Sequence, residues 1–292
     1  MPRRSCAAVW FIWSLILLLL EVDLSFSLTV INPETRRAIK IHGPTFDTLL
    51  RSGYVYHNET LHKIQPGQYK EPILSDKWSI IDSWEGGNTF NNTLLFVTKP
   101  SGLLTVPGRE QTDCLIERIQ KQQPSAKICH RLDRDTSGVM AIPMDAQMHR
   151  QISQLFETRQ TNKLYTALVA GHVKDNQGLI NLPIGKALTS EGYNRWVIGG
   201  MKPRPSQTEW QVEERLQLAD GFCYTRVLVR PLTGRGQQIR LHMKALGHPL
   251  LGDTLHSPEL VATATPRLCL HATQLSFEVN GVKVDAFSPS PF

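Results

Sequence analysis

The sequence predicts a mixed α+β fold in which strands and helices do not alternate strictly. Two observations carry this. Short apolar runs bounded by turn residues read as strands, and other segments place apolar side chains at helical spacing. Strands also follow one another with no helix between them, which disfavours a doubly wound parallel sheet. In chain order, Leu94–Val97 is a strand. Thr112 is placed to cap a helix that buries Leu115, Ile116 and Ile119. Val139–Ile142 is again a strand. Asp145 opens a helix whose Met148, Ile152, Leu155 and Phe156 share one face. Leu164–Val169 and Phe222–Arg230 read as strands. Gln237–Leu246 reads as a helix stopped by Gly247, with Pro249 beyond it, and Leu268–Val279 as a closing strand.

Upstream of residue 91 the chain reads differently. Arg3 and Arg4 precede an uncharged run from Ser5 to Leu20, and Glu21 and Asp23 end it. That run is shorter than the ~20 apolar residues that span a bilayer comfortably. Residues 1–27 are therefore expected to be a signal peptide or signal anchor, the chain's sole membrane contact. Residues 28–90 form an N-terminal extension and linker. In it Ala38–Ile41 reads as a short strand, Thr45 as the cap of a short helix, and 65–92 as linker and loop. Residues 91–292 are expected to be the catalytic domain.

The chain has 292 residues and a net charge of +6, a balance that suits a polyanion partner. Its five cysteines include no C-x-x-C pair, and no H-E-x-x-H or glycine-rich phosphate loop appears. This argues against a disulfide framework, a zinc knuckle and a bound metal.

The most informative stretch is HRLDRDTSG, residues 130–138. Asp133 has Arg131 two residues before it and Arg134 directly after it. Neighbouring guanidiniums favour the charged form of a carboxyl, so Asp133 is expected to be held ionised as a nucleophile or base. Thr136-Ser137-Gly138 then turns the chain into the strand at Val139.

This stretch resembles the HRLD motif of the RluA family of pseudouridine synthases. LLFVTKPSGLLTVPG (94–108), KLYTALVAG (163–171), PLTGRGQQIRLHMKALGHPLLGD (231–253) and RLCLHATQLSF (267–277) are similar to further family blocks and come in the family's order. The likeness is to the branch acting on tRNA and rRNA without an S4 domain. It implies a large, mostly antiparallel bent sheet with flanking helices and an active cleft across its middle. It also implies isomerisation of uridine to pseudouridine in structured RNA. That reaction changes no redox state and loses no group, so no cofactor is required; RNA is the expected partner and the chain a monomer.

By resemblance Asp133 is the nucleophile, Tyr165 stacks on the uracil, and Arg240 pairs with Asp133 and keeps it deprotonated. Arg131 and His130 are expected at the substrate, Arg131 filling the gap left by the extruded base. Ile239 and Leu241 flank Arg240 and are expected to line the pocket. The family segment reads G-R-x-H-Q-I-R, whereas this chain has Gln237 in place of the His and Gly236 where Ser or Thr is usual. A non-catalytic RNA-binding relative and a carboxylate-based glycoside or nucleoside hydrolase remain alternatives. An RNA-modifying enzyme behind a secretory-type leader implies an organelle with its own ribosomes. A plastid reached through the endomembrane system fits, with the mitochondrion or cytoplasm as alternatives.

Overall fold

The computed structural model describes residues 93–108, 112–188, 194–217 and 221–292, together with the backbone of six short strands before them. Those six are β1 (Thr29–Ile31), β2 (Ala38–Lys40), β3 (Tyr54–His57), β4 (Thr60–Lys63), β5 (Ser79–Ile80) and β6 (Trp84–Glu85). The leader and the helix expected at Thr45 lie outside the described residues. Then come β7 (Leu94–Lys99), α1 (Leu115–Gln120), β8 (Ser137–Pro143), α2 (Ala146–Glu157) and β9 (Asn162–Ala170). Next are β10 (Gln177–Asn181), β11 (Ile184–Leu188), β12 (Asn194–Ile198), β13 (Met201–Arg204), β14 (Gln207–Gln217) and β15 (Cys223–Pro231). The chain closes with α3 (Gln238–Ala245), α4 (Glu259–Ala262), β16 (Leu270–Val279) and β17 (Val282–Phe287).

A ten-stranded sheet dominates, in the order β10-β14-β15-β9-β16-β8-β7-β5, with β17 on β16 and β6 on β17. All its pairings are antiparallel except β16 with β8. The α+β class with a mostly antiparallel sheet is therefore what the chain adopts. β8 is buried along its whole length, as its unbroken apolar run requires.

Three local readings are corrected. Thr112 does not cap α1; the N-cap is Cys114, and no side chain bonds there. The stretch 65–92 is not all loop, because β5 pairs with β7 and β6 with β17. The segment 177–217, left without elements in the sequence reading, forms five strands, of which β11, β12 and β13 make a separate three-stranded sheet. Asp145, by contrast, caps α2, accepting from the N–H groups of Gln147 and Met148 at 2.8 Å each.

Period-two alternation along β9 gives the sheet two different faces. Ala167 and Val169 pack with Ile239 and Met243 of α3, with Tyr165 against them. Leu168 and Ala170 point the other way, to Leu251, Val261 and Cys269. A third cluster under α1 and α2 holds Phe96, Met140 and Ile152. Tyr165 packs against this cluster as well, at the seam between two cores.

Candidate active site

The loop carrying Asp133 hangs from the start of β8 and is fastened by its backbone. Thr105 Oγ1 donates to the Leu132 carbonyl at 2.8 Å and accepts the Leu132 N–H at 3.3 Å. Lys99, fully buried at the end of β7, donates from Nζ to the carbonyls of Pro100 (2.8 Å), Leu103 (2.7 Å) and Arg134 (2.8 Å). Ser101 Oγ donates to the Asp135 carbonyl at 2.7 Å. The residues on both sides of Asp133 are thus tied to the turn that follows β7. Gly138 completes the approach. It sits at φ +121°, and a Cβ there would lie 2.3 Å from the Ala272 carbonyl oxygen.

Burial raises the Asp133 carboxyl above its ordinary value, against the opposing charges of Arg240, Arg131 and Lys99. The shift therefore runs opposite to the direction that the neighbouring guanidiniums alone would give, because desolvation outweighs them. Arg134, the nearest guanidinium in sequence, bonds to Asp135 instead at 2.8 Å. Lys99 is itself brought down to about 7 by burial, while Asp135 and Asp133 pull the other way.

Arg240 does not pair with Asp133. Its Nε donates to Asp253 Oδ2 at 2.8 Å and its Nη2 to Asp253 Oδ1, a two-pronged bond between side chains 2% and 1% exposed. Burial works to raise the Asp253 carboxyl, but the Arg240 bonds and charge hold it below its usual range. Asp253 also accepts the N–H groups of Leu255 and His256 at 3.0 Å each. Arg240 is thus a fixed cation whose field reaches Asp133 without a hydrogen bond to it.

Tyr165 lines a small cleft with His130, Leu132, Lys163 and Gln274. Its hydroxyl is pushed well above the ordinary phenol value by burial and then by the Asp133 charge, so it stays protonated. Asp133, Tyr165 and Arg240 thus share one electrostatic neighbourhood. His130 also braces the loop. Its Nε2 accepts the Ala141 N–H at 2.9 Å and its ring stacks on Phe156 at 4.3 Å. Burial pulls it down to about 3, so it is a neutral acceptor. Arg131 is exposed at the loop surface. Ile239 and Leu241 are both buried, Ile239 in the core beneath Tyr165.

Both departures in the 231–253 segment have local reasons. Gln237 takes the left-handed conformation, φ +57°, at the N-cap of α3, and its Oε1 accepts from His256 Nε2 at 2.8 Å. A Cβ at Gly236 would lie 2.5 Å from Trp196 Nε1, so the Trp196 ring from β12 occupies the space a larger residue would take. Lys99 and Asp253 escaped the sequence reading. The signals were a lysine closing an apolar strand before a Pro-Ser-Gly turn and an acid after Leu-Leu-Gly. Among the described residues no cluster of His, Cys, Asp or Glu is fit to hold a metal ion, the four cysteines are free, and no helix is long and apolar enough to cross a membrane.

The family model for RNA pseudouridylate synthase matches residues 93–245. The dual-specificity RNA pseudouridine synthase RluA of Vibrio parahaemolyticus is 39% identical over 200 residues, covering 67% of this chain and 78% of that protein. The same-named protein of Escherichia coli K12 is 43% identical over 188 residues, covering 63% and 82%. Human RNA pseudouridylate synthase domain containing 1 superposes with a TM-score of 0.64 at 29% identity, over 76% of this chain and 87% of its own. The chain belongs to the RNA pseudouridylate synthase family and isomerises uridine to pseudouridine in RNA.

Proposed function

We infer that the RNA is a structured rRNA or tRNA and that Asp133, Tyr165 and Arg240 carry the reaction. The net change breaks the C1′–N1 bond and makes a C1′–C5 bond. A proton leaves C5 and N1 gains one, so atoms and electrons balance without a cofactor. A carboxylate oxygen of Asp133 adds to the nucleotide and later departs. Burial makes that oxygen poorly solvated and therefore reactive, while the Arg240 and Arg131 charges keep its ionised form accessible. Tyr165 presents its ring for stacking on the extruded uracil, worth ~1–3 kcal/mol. Arg131, exposed and two residues before Asp133, would fill the vacated stack with a planar guanidinium.

The observation that carries this reading is the loop itself. Asp133 forms no ion pair among the described residues, while the backbone on both sides of it is bonded down. A carboxyl held in place yet unpartnered is poised for a substrate. The test maps pseudouridine in cellular RNA with and without the protein, then assays Asp133→Asn on the mapped RNA. Loss of turnover with RNA binding retained is the expected result. Near wild-type conversion by Asp133→Asn would remove Asp133 from the mechanism. We further propose that residues 1–27 address the chain to an organelle through the endomembrane system, because a basic start and a short apolar core fit a leader.

A further inference from the structure

A cavity of about 520 Å³ opens beside the Asp133 loop, distinct from the cleft that Tyr165 lines. Its walls come from the turn after β7, from the end of the Asp133 loop, from the residues around Asp253, from α4 and from the segment after β17. Arg134, in the wall, directly follows Asp133, and Gly252 and Thr254, also in the wall, flank Asp253 on both sides. Consecutive Cα atoms lie ~3.8 Å apart, so the cavity abuts both Asp133 and the acid that holds Arg240. Small-molecule and cofactor sites span about 300–1,000 Å³, and this cavity falls inside that range.

The lining is cationic and preformed. Lys99, Arg134 and Arg267 line it with one carboxylate, Asp135. Arg134 Nε donates to Asp135 at 2.8 Å, and the two side chains are 55% and 24% exposed. An exposed pair of this kind is held weakly, so the Arg134 guanidinium is open to an outside anion. Arg267 is held in position by a chain of hydrogen bonds. Its Nη1 donates to Ser137 Oγ at 2.9 Å, and Ser137 Oγ donates to His271 Nδ1 at 2.8 Å. The Ser288 carbonyl, 3.1 Å from His271 Nε2, can only accept, so that nitrogen carries the ring proton. The Arg267 Cζ also lies 5.1 Å from the centre of the Phe292 ring. Pro100, Pro266, Pro289 and Pro291 add rigid apolar rings that carry no N–H. Guanidiniums beside apolar rings suit a nucleotide, whose phosphate needs the first and whose base needs the second.

We propose that this cavity receives the nucleotide that adjoins the target uridine in the RNA, its phosphate met by Arg134 within the field of Arg267 and its base laid against the proline rings. The inference rests on the reading of Asp133 as the group that meets the uridine. A strand that brings its uridine to Asp133 carries the next nucleotide to the residues beside it. That nucleotide fixes the register of the strand and anchors it on one side while the uridine turns out of the stack.

The test uses the full chain and a synthetic stem–loop RNA with one uridine in its loop. Companion RNAs carry, on one side or the other of that uridine, either an abasic nucleotide or an uncharged methylphosphonate linkage. Binding is titrated across a salt series for wild type, for Arg134→Gln and for Ala262→Phe, which fills the cavity from α4. Arg134 is exposed, so its variant keeps the test valid if Ala262→Phe folds poorly. Removing the charge of the linkage on one side should weaken wild type about tenfold and Arg134→Gln little further. Removing the base on that same side should weaken wild type about tenfold and Ala262→Phe little further. The slope of log K against log salt should fall by roughly 0.7 in Arg134→Gln. Penalties that simply add in both variants, on both sides of the uridine, would overturn the proposal. So would uridine monophosphate that binds wild type tightly without competing with the stem–loop, which would assign the cavity to a free nucleotide. Asp133→Asn separates this proposal from the reading it rests on. Wild-type conversion by that variant with the couplings intact would defeat the role of Asp133 and spare the cavity, and loss of conversion without the couplings would do the reverse.

Discussion

Replacing Arg240 by Met tests whether its cation serves the fold, the Asp133 carboxyl or both. The substitution leaves the Asp253 carboxylate buried with two backbone N–H donors from Leu255 and His256. Removing one partner of a buried pair costs about 3–5 kcal/mol. The two remaining donors place this case near 3 kcal/mol. At about 2–4 °C per kcal/mol for a domain of this size, Tm should fall by about 10 °C. Arg240→Met/Asp253→Asn removes the orphaned charge and keeps an acceptor for the two N–H groups, so most of that loss should return. Activity should not return with it. The Asp133 carboxyl is already raised by burial, and Arg240 is the first of the charges that oppose the rise. Without that cation the ionised form is harder to reach, and the acidic limb of kcat/KM moves to higher pH in both variants. Thermal denaturation and a pH–rate profile measure the two effects separately. A double variant with restored stability and a wild-type pH profile would refute the claim that the Arg240 charge reaches Asp133. An Arg240→Met protein as stable as wild type would refute the costly pair.

Three further outcomes are expected, two from the geometry and one from the sequence. Tyr165→Phe should keep RNA affinity and Tyr165→Ala should lose ~1–3 kcal/mol of it, measured by titration, since the ring face does the stacking. Equal affinities would rule stacking out. Gly138→Ala should destabilise by about 3 kcal/mol in chemical denaturation, because a Cβ would meet the Ala272 backbone at 2.3 Å and the residue sits at φ +121°. A fluorescent fusion of residues 1–90 should accumulate in an organelle; reporter in the cytosol would refute the address, and secretion would spare only the leader.

The loop at Asp133 leading into β8 and the strand that carries Tyr165 were legible in the sequence because short contiguous motifs carry them, and contiguous motifs survive as strings. The Arg240–Asp253 pair was not legible. It joins residues thirteen apart across a helix end and a loop, and nothing in the pattern distinguishes an arginine facing Asp133 from one facing Asp253. The sign of the Asp133 shift was misread for a related reason. Charge order along the chain is visible, whereas desolvation depends on what packs over the loop. Apolar periodicity found α2 with its cap and found β8. It missed β10 to β14, whose polar, half-exposed sequences, such as QTEWQVEERLQ, alternate too weakly to stand out. Lys99 was hidden by its type, because a lysine reads as surface until three carbonyls are seen around its ammonium.

The fastening of the Asp133 loop has a consequence for which RNAs are chosen. Leu132, Arg134 and Asp135 are held by Thr105, Lys99 and Ser101, all from the protein itself. The backbone around Asp133 therefore needs no ordering by the substrate, and little binding energy is lost to loop entropy. With Asp133 in the proposed role, the deformation would fall on the RNA, which would unstack and turn a uridine outward to meet a stationary carboxyl. Sites whose local structure makes that extrusion cheap are favoured before any base is read. On that reading discrimination would reside largely in the mechanics of the nucleic acid, and a weakened stem next to the uridine should turn a poor substrate into a better one.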